Sequence, residues 1–151
     1  MSLYYLDASA WVKRYVEEVG SDWMRRFWRG RFSVACSIIG ELEVLSAIVR
    51  RSQRDTAEAA TLAADLKADC AGFYEVSVSP QVVSMTADLI RRHRLCCADA
   101  IHLASAIVTR EHVGEPVCMV ASDAELLAAA NAEGLATLDP QVNSPLPRVD
   151  S

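Results

Sequence analysis

The chain has 151 residues, 52% of them apolar, which is the size and composition of one ordinary domain with a substantial core. Its 15 basic and 20 acidic residues give a net charge of −5, the wrong sign for binding nucleic acid through the overall field. Its five cysteines include no C-x-x-C pair, which argues against a disulfide framework and against a structural zinc site.

The first half of the chain alternates short apolar runs with helical patterns. Residues 3–6 predict a strand, after which apolar residues recur at helical spacing up to Gly20. A second helix is expected directly after Gly20. Residues 32–36 then predict a second strand, and residues 37–51 predict a helix whose last two residues are arginines, where the macrodipole favours positive charge.

The second half continues this alternation. Its predicted elements are, in order, a helix over 55–71, a strand over 73–78, a helix over 80–94, a helix from about Asp99 to Glu111, a strand over 117–121, a helix ending at Gly134 and a strand over 135–138. Strands that alternate with helices predict an α/β fold with a mainly parallel sheet and helices on both faces. We expect one domain over residues 1–139, followed by an extended or poorly ordered tail over residues 140–151.

The sequence has no features of a membrane protein. Its longest apolar stretches, such as residues 126–130, are far shorter than the roughly 20 residues that cross a bilayer. The N-terminus has no basic stretch leading into an apolar signal region. We therefore expect a cytoplasmic protein.

Three acidic residues, Asp7, Asp99 and Asp123, lie where an apolar run gives way to a helical one. In open α/β sheets ligands bind outside the carboxyl ends of the strands, and both Asp7 and Asp123 end predicted strands. Asp99 and Asp123 are also candidate N-caps, which is the simpler explanation for each. Asp7 is followed by small residues that let another group approach its carboxylate. Two carboxylates about 4 Å apart repel by about 4 kcal/mol, so a cluster of them needs a cation.

The fourth candidate acid is a glutamate of the helix over 37–51, which carries both Glu41 and Glu43. The apolar stripe of this helix lies closer to Glu41. Ala47, one turn after Glu43, leaves space beside that carboxylate instead. Periodicity alone does not choose between the two. His102, on the helix after Asp99, is interpreted as a packed or surface side chain.

Four segments form a recognisable pattern when they are considered together. They are Tyr5-Leu6-Asp7-Ala8-Ser9-Ala10, Glu43-Val44-Leu45-Ser46-Ala47, Ala98-Asp99-Ala100-Ile101-His102-Leu103-Ala104 and Val120-Ala121-Ser122-Asp123. Their order and separations resemble the four acidic motifs of a PIN domain of the VapC toxin type, over nearly the whole chain. The pair Gly40-Glu41 departs from that pattern, because a threonine and a variable residue are more familiar there.

This resemblance implies a PIN-like three-layer α/β/α fold and a metal-dependent endoribonuclease. It assigns the catalytic and metal-binding roles to Asp7, Glu43, Asp99 and Asp123, with Ser9 and Ser122 as supporting hydroxyls. Carboxylate oxygens without histidine or thiolate partners select hard ions, so the expected cofactor is Mg²⁺ or Mn²⁺.

The resemblance also implies partners for the protein. Because an acidic site repels phosphate, nearby arginines must attract the RNA substrate, and the candidates are Arg14, Arg50, Arg51 and Arg94. Proteins of this type pair as homodimers and are inhibited by a cognate antitoxin protein. The alternative is a non-catalytic PIN-like module that binds RNA or protein, in which the acids are only helix caps and surface charge.

Overall fold

The computed structural model describes residues 2–53 and 55–149. Within these ranges the strands are β1 (Leu3–Leu6), β2 (Val34–Ser37), β3 (Tyr74–Val76), β4 (Val117–Val120) and β5 (Ala136–Leu138). The helices are α1 (Ala8–Trp11), α2 (Ser21–Arg29), α3 (Ile38–Arg51), α4 (Thr56–Cys70), α5 (Pro80–His93), α6 (Cys97–Val113) and α7 (Ala124–Ala132). Among the described residues, no helix combines the length and the apolar composition that crossing a bilayer requires.

The strands form one sheet in the order β3-β2-β1-β4-β5, and every neighbouring pair is parallel. Successive residues of a strand point to opposite faces of a sheet. In β1, Leu3 and Tyr5 pack into a core with α5, α6 and α7, whereas Tyr4 and Leu6 pack into a second core with α1 to α4. The sheet is therefore the middle layer between two helical layers, which confirms the predicted α/β/α architecture.

The strand order reverses beside β1. From β1 the chain adds β2 and β3 on one side, then crosses to the other side for β4 and β5. Tyr5 in the centre of β1 pairs with Ala35 of β2 and with Met119 of β4. In open α/β sheets ligands bind where the order reverses, at the carboxyl ends of the strands. That edge is where Asp7 follows β1.

Several helices begin at side-chain N-caps, and the prediction of Asp123 as an N-cap is confirmed. Ser37, Asp55, Ser79 and Asp123 accept hydrogen bonds from backbone N–H groups in the first turns of α3, α4, α5 and α7. The prediction of Asp99 as an N-cap is wrong, because α6 begins at Cys97 and Asp99 lies inside its first turn.

The first predicted helix ends earlier than the periodicity indicates. Instead of continuing to Gly20, α1 passes into a 3₁₀ turn at Val12–Arg14. The Ser21 hydroxyl then donates to the Val16 carbonyl and accepts from the Glu18 N–H. These side-chain hydrogen bonds take the place of helical ones and turn the chain toward α2.

The prediction of an extended or poorly ordered tail is wrong for its first part. Pro140–Val142 forms a 3₁₀ turn, and the Trp23 indole N–H donates to the Ser144 carbonyl at 2.5 Å. Arg26 of α2 also donates to Asn143. Residues 143–149 have no regular secondary structure, and residues 150 and 151 of the predicted tail lie outside the described residues.

Candidate active site

The four predicted acids line one open cleft of about 560 Å³. Asp7 follows β1, Glu43 lies on α3, Asp99 lies in the first turn of α6, and Asp123 precedes α7. The other lining residues are Ala8, Ser9, Val12, Ile39, Leu42, Ser46, Ala47 and Arg50. The fold therefore brings acids from distant parts of the sequence to the same cleft.

Asp7 is the most firmly held of these acids. It is 3% exposed, and its Oδ2 accepts hydrogen bonds from the backbone N–H of Ser9, at 3.0 Å, and from the Ser9 hydroxyl. Its other oxygen, Oδ1, lies 3.5 Å from Nε2 of His102. Asp7 is thus the N-cap of α1 and a lining residue of the cleft at once, and both of these hydrogen bonds come from Ser9.

Ser122 supports the site differently from the expectation. Its hydroxyl donates to Asp139 at 3.0 Å, because Asp139 lies beside it at the start of the C-terminal 3₁₀ turn. The backbone N–H of Ser122 instead donates to the Ser9 hydroxyl oxygen at 2.9 Å. Ser122 therefore contacts the serine that holds Asp7 through its backbone N–H.

The charge of Asp99 is unfavourable in the folded protein. Burial raises the pKa of Asp99 above its usual range, the charges of Asp123 and Asp7 raise it further, and the Cys96 thiol and His102 oppose the shift. Asp123 accepts from the backbone N–H of Leu126 through Oδ1, so it is an N-cap as well as a lining residue.

The structure separates the two candidate glutamates. Glu43 lines the cleft and accepts a hydrogen bond from His102 at 2.5 Å. Glu41 lies beside α4, where burial, the charge of Glu41 and a hydrogen bond to Glu41 contribute to raising the pKa of the Cys70 thiol to about 12. Of the two, Glu43 is the glutamate that faces the other acids.

His102 is a packed side chain, one of the two interpretations from the sequence, but its position beside Glu43 and Asp7 was not predicted. It is fully buried, and its imidazole contacts both Tyr5 and Glu43. Burial alone would lower the pKa of His102, but the hydrogen bond to Glu43 and the charges of Asp7, Glu43 and Asp99 raise it above its usual value. A signal was present in the sequence, because a residue three positions after Asp99 on a helix lies on nearly the same face.

The four candidate arginines have different surroundings. Arg50 lines the cleft and is exposed. Arg14 pairs with Asp69 at 2.9 Å, and Arg51 pairs with Glu18 at 3.1 Å. Arg94 is the exposed C-cap of α5. Arg50 is thus the candidate arginine that the fold brings to the acids.

The donor chemistry of the cleft suits a hard divalent ion. The side chains that face one another are carboxylates, the oxygen ligands that Mg²⁺ and Mn²⁺ prefer. Among the residues that the structure describes, no group of three or more Asp, Glu, His or Cys side chains is already arranged as an ion-binding set. Because carboxylates repel at short range, they close on an ion only when its charge offsets that repulsion.

Comparisons with known proteins agree with this architecture. A family model described as "PIN domain" matches residues 4–114, a range that includes Asp7, Glu43 and Asp99. The chain is 35% identical over 149 residues to Ribonuclease VapC45 of Mycobacterium tuberculosis (strain CDC 1551 / Oshkosh), covering 93% of this chain and all of that protein. Ribonuclease VapC49 of the strain ATCC 25618 / H37Rv matches with the same identity and coverage.

Solved structures share the fold. The chain superposes with a TM-score of 0.65 on a structure described as a toxin-antitoxin complex from Klebsiella pneumoniae, covering 91% of this chain and 97% of that chain. Sequence identity over this match is 15%, so it supports the architecture alone.

We expect Asp99→Asn to raise the thermal unfolding midpoint in EDTA near neutral pH. The raised pKa of Asp99 means that its negative charge is less favourable in the folded protein than in the unfolded chain. This penalty is complete above the raised pKa and disappears as the pH falls toward the ordinary aspartate value of about 4, because the wild-type carboxyl is then neutral too. Circular dichroism melts over this pH range measure the difference.

The control for this prediction is Asp65→Asn, which removes an exposed carboxylate from α4 and should leave the midpoint nearly unchanged. A lower midpoint for Asp99→Asn than for the wild type at neutral pH would contradict the prediction.

Proposed function

Because the chain belongs to the PIN-domain family and is an endoribonuclease of the VapC type, we propose that it cleaves RNA in the acidic cleft with Mg²⁺ or Mn²⁺ as cofactor. The observation that carries this proposal is the convergence of four carboxylates from separate elements on one cleft. A hard divalent ion bound there would offset the charge of the scissile phosphate and lower the pKa of a coordinated water.

We propose that the same four carboxylates are the metal ligands and the catalytic residues. Asp7 is the most rigid of them, since it is buried and its Oδ2 accepts from both the backbone and the hydroxyl of Ser9. The apolar side chains of Val12, Ile39 and Leu42 form part of the cleft wall. The contribution of the protein is to hold charge and orientation, while a bound ion would act as the Lewis acid that polarises the scissile phosphate.

A non-catalytic binding module is the competing function. Such a module has no need for an aspartate whose charge is unfavourable in the folded state, as that of Asp99 is. Buried and clustered titratable groups of this kind are concentrated at catalytic sites. The raised pKa of Asp99 therefore favours the nuclease.

Replacing Asp7 or Asp99 by asparagine should reduce RNA cleavage at least about 100-fold, because each change removes an anionic metal ligand and metal-ion stabilisation of the transition state is worth several kcal/mol. EDTA should abolish cleavage by the wild type, and Mn²⁺ should restore it. Cleavage of labelled RNA is the measurement, and a Mn²⁺-dependent thermal shift reports binding separately. Asp65→Asn is the control. Cleavage that survives EDTA, or both substitutions together, would refute the proposed function.

We further propose that Arg50 attracts the RNA backbone to the cleft. It lines the cleft, and it lies seven residues after Glu43 on α3, on the same side of the helix. The guanidinium of Arg14 is already engaged by Asp69 and lies over the ring of Trp28. Arg51 and Arg94 remain secondary candidates for the rim.

Arg50→Gln should weaken RNA binding and reduce the slope of log affinity against log salt by about one, as expected for the loss of one phosphate contact. Fluorescence anisotropy with a labelled RNA at several salt concentrations measures both quantities. Arg25→Gln is the control, since Arg25 is exposed on α2 and pairs with Glu17 and Asp22. A salt slope equal to that of the wild type would exclude this role for Arg50.

We also propose a cognate antitoxin as partner. The fold is shared with a protein of a toxin-antitoxin complex. An apolar groove of about 330 Å³ beside α2 offers a docking place for an inhibitor segment, and its lining residues are Phe27, Trp28, Arg31, Phe32, Val34 and Phe73. The VapC resemblance also supports a homodimer, which we propose for the protein without its partner.

Co-expression with the neighbouring small reading frame should yield a complex that does not cleave RNA. Trp28→Ala should weaken this complex about 10-fold or more, because aromatic anchors dominate such interfaces. The free variant should still cleave RNA. Val83→Ala is the control, an exposed apolar residue on the opposite helical layer. Recovery of only the free wild-type protein would contradict an inhibitor of this kind.

A further inference from the structure

His102 is fully buried, yet both of its ring nitrogens are hydrogen-bonded. Nδ1 lies 2.9 Å from the hydroxyl of Tyr5 on β1, and Nε2 lies 2.5 Å from Oε1 of Glu43 on α3. The imidazole of α6 therefore connects the middle strand of the sheet to a carboxylate of the cleft. Tyr5 is itself fully buried and packs edge-on against the imidazole ring, so the connection has a rigid base.

The direction of these hydrogen bonds follows from the groups involved. An ionised carboxylate only accepts, so the proton between His102 and Glu43 is carried by Nε2. In the neutral ring Nδ1 is then the acceptor, and the Tyr5 hydroxyl donates to it. In the charged ring Nδ1 donates to the Tyr5 oxygen instead, and the bond to Glu43 is unchanged. The contact with Glu43 thus exists in either protonation state of His102.

Gly40 provides the space that the imidazole occupies. A Cβ at position 40 would lie 3.2 Å from Cε1 of His102 and 3.6 Å from the Trp11 ring. The first distance is tighter than an ordinary van der Waals contact. The glycine that departs from the PIN-domain pattern is therefore explained by the histidine that packs over it.

Glu43 needs such a partner more than the other acids do. Its side chain is 40% exposed, and a glutamate loses considerable rotamer freedom when it is fixed in one position. Asp7 and Asp123 are held by backbone N–H groups at helix starts, whereas Glu43 lies in the second turn of α3. With Oε1 held by His102, the orientation of Oε2 is restricted as well. The same nitrogen, Nε2 of His102, lies 3.5 Å from Oδ1 of Asp7, so the imidazole lies beside both carboxylates.

We propose that His102 is a positioning residue. It holds the Glu43 carboxylate beside Oδ1 of Asp7, in the arrangement that a divalent cation requires. This inference rests on the proposed function, because it takes Glu43 as a metal ligand. Partners that hydrogen-bond to ligating side chains typically contribute about 10–100-fold to metal affinity. His102 contributes in this way from outside the set of ligands, and Tyr5 fixes the orientation of its ring.

The experiment compares Mn²⁺ dissociation constants, measured from the electron paramagnetic resonance signal of free Mn²⁺, in four proteins. His102→Leu removes the donor and should raise the dissociation constant about 10–100-fold. His102→Gln places an amide N–H near the position of Nε2 and should recover most of the affinity. His112→Leu makes the same change at an exposed position of α6 and should bind Mn²⁺ like the wild type.

Two further measurements keep the test decisive if His102→Leu does not fold. Tyr5→Phe removes one hydroxyl and should also raise the dissociation constant, by a smaller factor, because the ring is then held only by packing. Electron spin echo envelope modulation of Mn²⁺ bound to the wild type should show no directly coordinated imidazole nitrogen. A coordinated imidazole would overturn the positioning role, since His102 would then be a ligand.

The outcomes separate this inference from the proposed function. If the wild type binds Mn²⁺ and cleaves RNA, an unchanged dissociation constant in folded His102→Leu, or in Tyr5→Phe where His102→Leu does not fold, overturns the inference and leaves the nuclease intact. A wild type that binds no Mn²⁺ refutes the proposed function itself. Weaker Mn²⁺ binding in His102→Leu with recovery in His102→Gln supports the positioning role, because a purely structural loss would not be restored by one N–H donor.

Discussion

Repulsion among the carboxylates of one cleft is the constraint on which the rest of the structure depends. Three of the acids lie at helix starts, where backbone N–H groups favour negative charge: Asp7 before α1, Asp99 in the first turn of α6 and Asp123 before α7. Glu43 lies in the second turn of α3 and has the buried N–H of His102 instead. Asp7, Asp123 and Glu43 therefore each have a hydrogen-bond donor that favours their charge in the folded chain, whereas the charge of Asp99 stays unfavourable despite its position at a helix start.

The parts of the site that the sequence predicts are those with local signals. Asp7 and Asp123 each follow an apolar strand and precede a helix, and both signals lie within a few residues. Periodicity alone does not choose between Glu41 and Glu43, because it gives only an angle around the axis of α3. What decides it is the neighbour on each face, which is Cys70 of α4 for Glu41 and His102 of α6 for Glu43.

The features that the sequence did not predict depend on contacts between distant residues. Tyr5 and His102 are 97 residues apart in the chain, and Trp23 and Ser144 are 121 apart. The first contact fixes the His102 ring beside the carboxylates of the cleft, and the second holds the C-terminal tail against α2. Alternation of strands and helices predicted the layers and the sheet correctly, since these follow from patterns of two and 3.6 residues. It could not predict which polar side chains meet inside the layers.

Helix α3 carries both the proposed metal ligand Glu43 and the proposed RNA-binding residue Arg50. Glu43 and Arg50 both line the cleft and are two helical turns apart, roughly 10 Å along the axis. Glu43 and the other carboxylates of the cleft attract a cation and repel phosphate. The guanidinium of Arg50 attracts phosphate without help from a cation. With a net charge of −5, the chain as a whole adds no long-range attraction for RNA. A change confined to Arg50 therefore acts on RNA alone, while a shift of α3 as a body alters cation and RNA binding together.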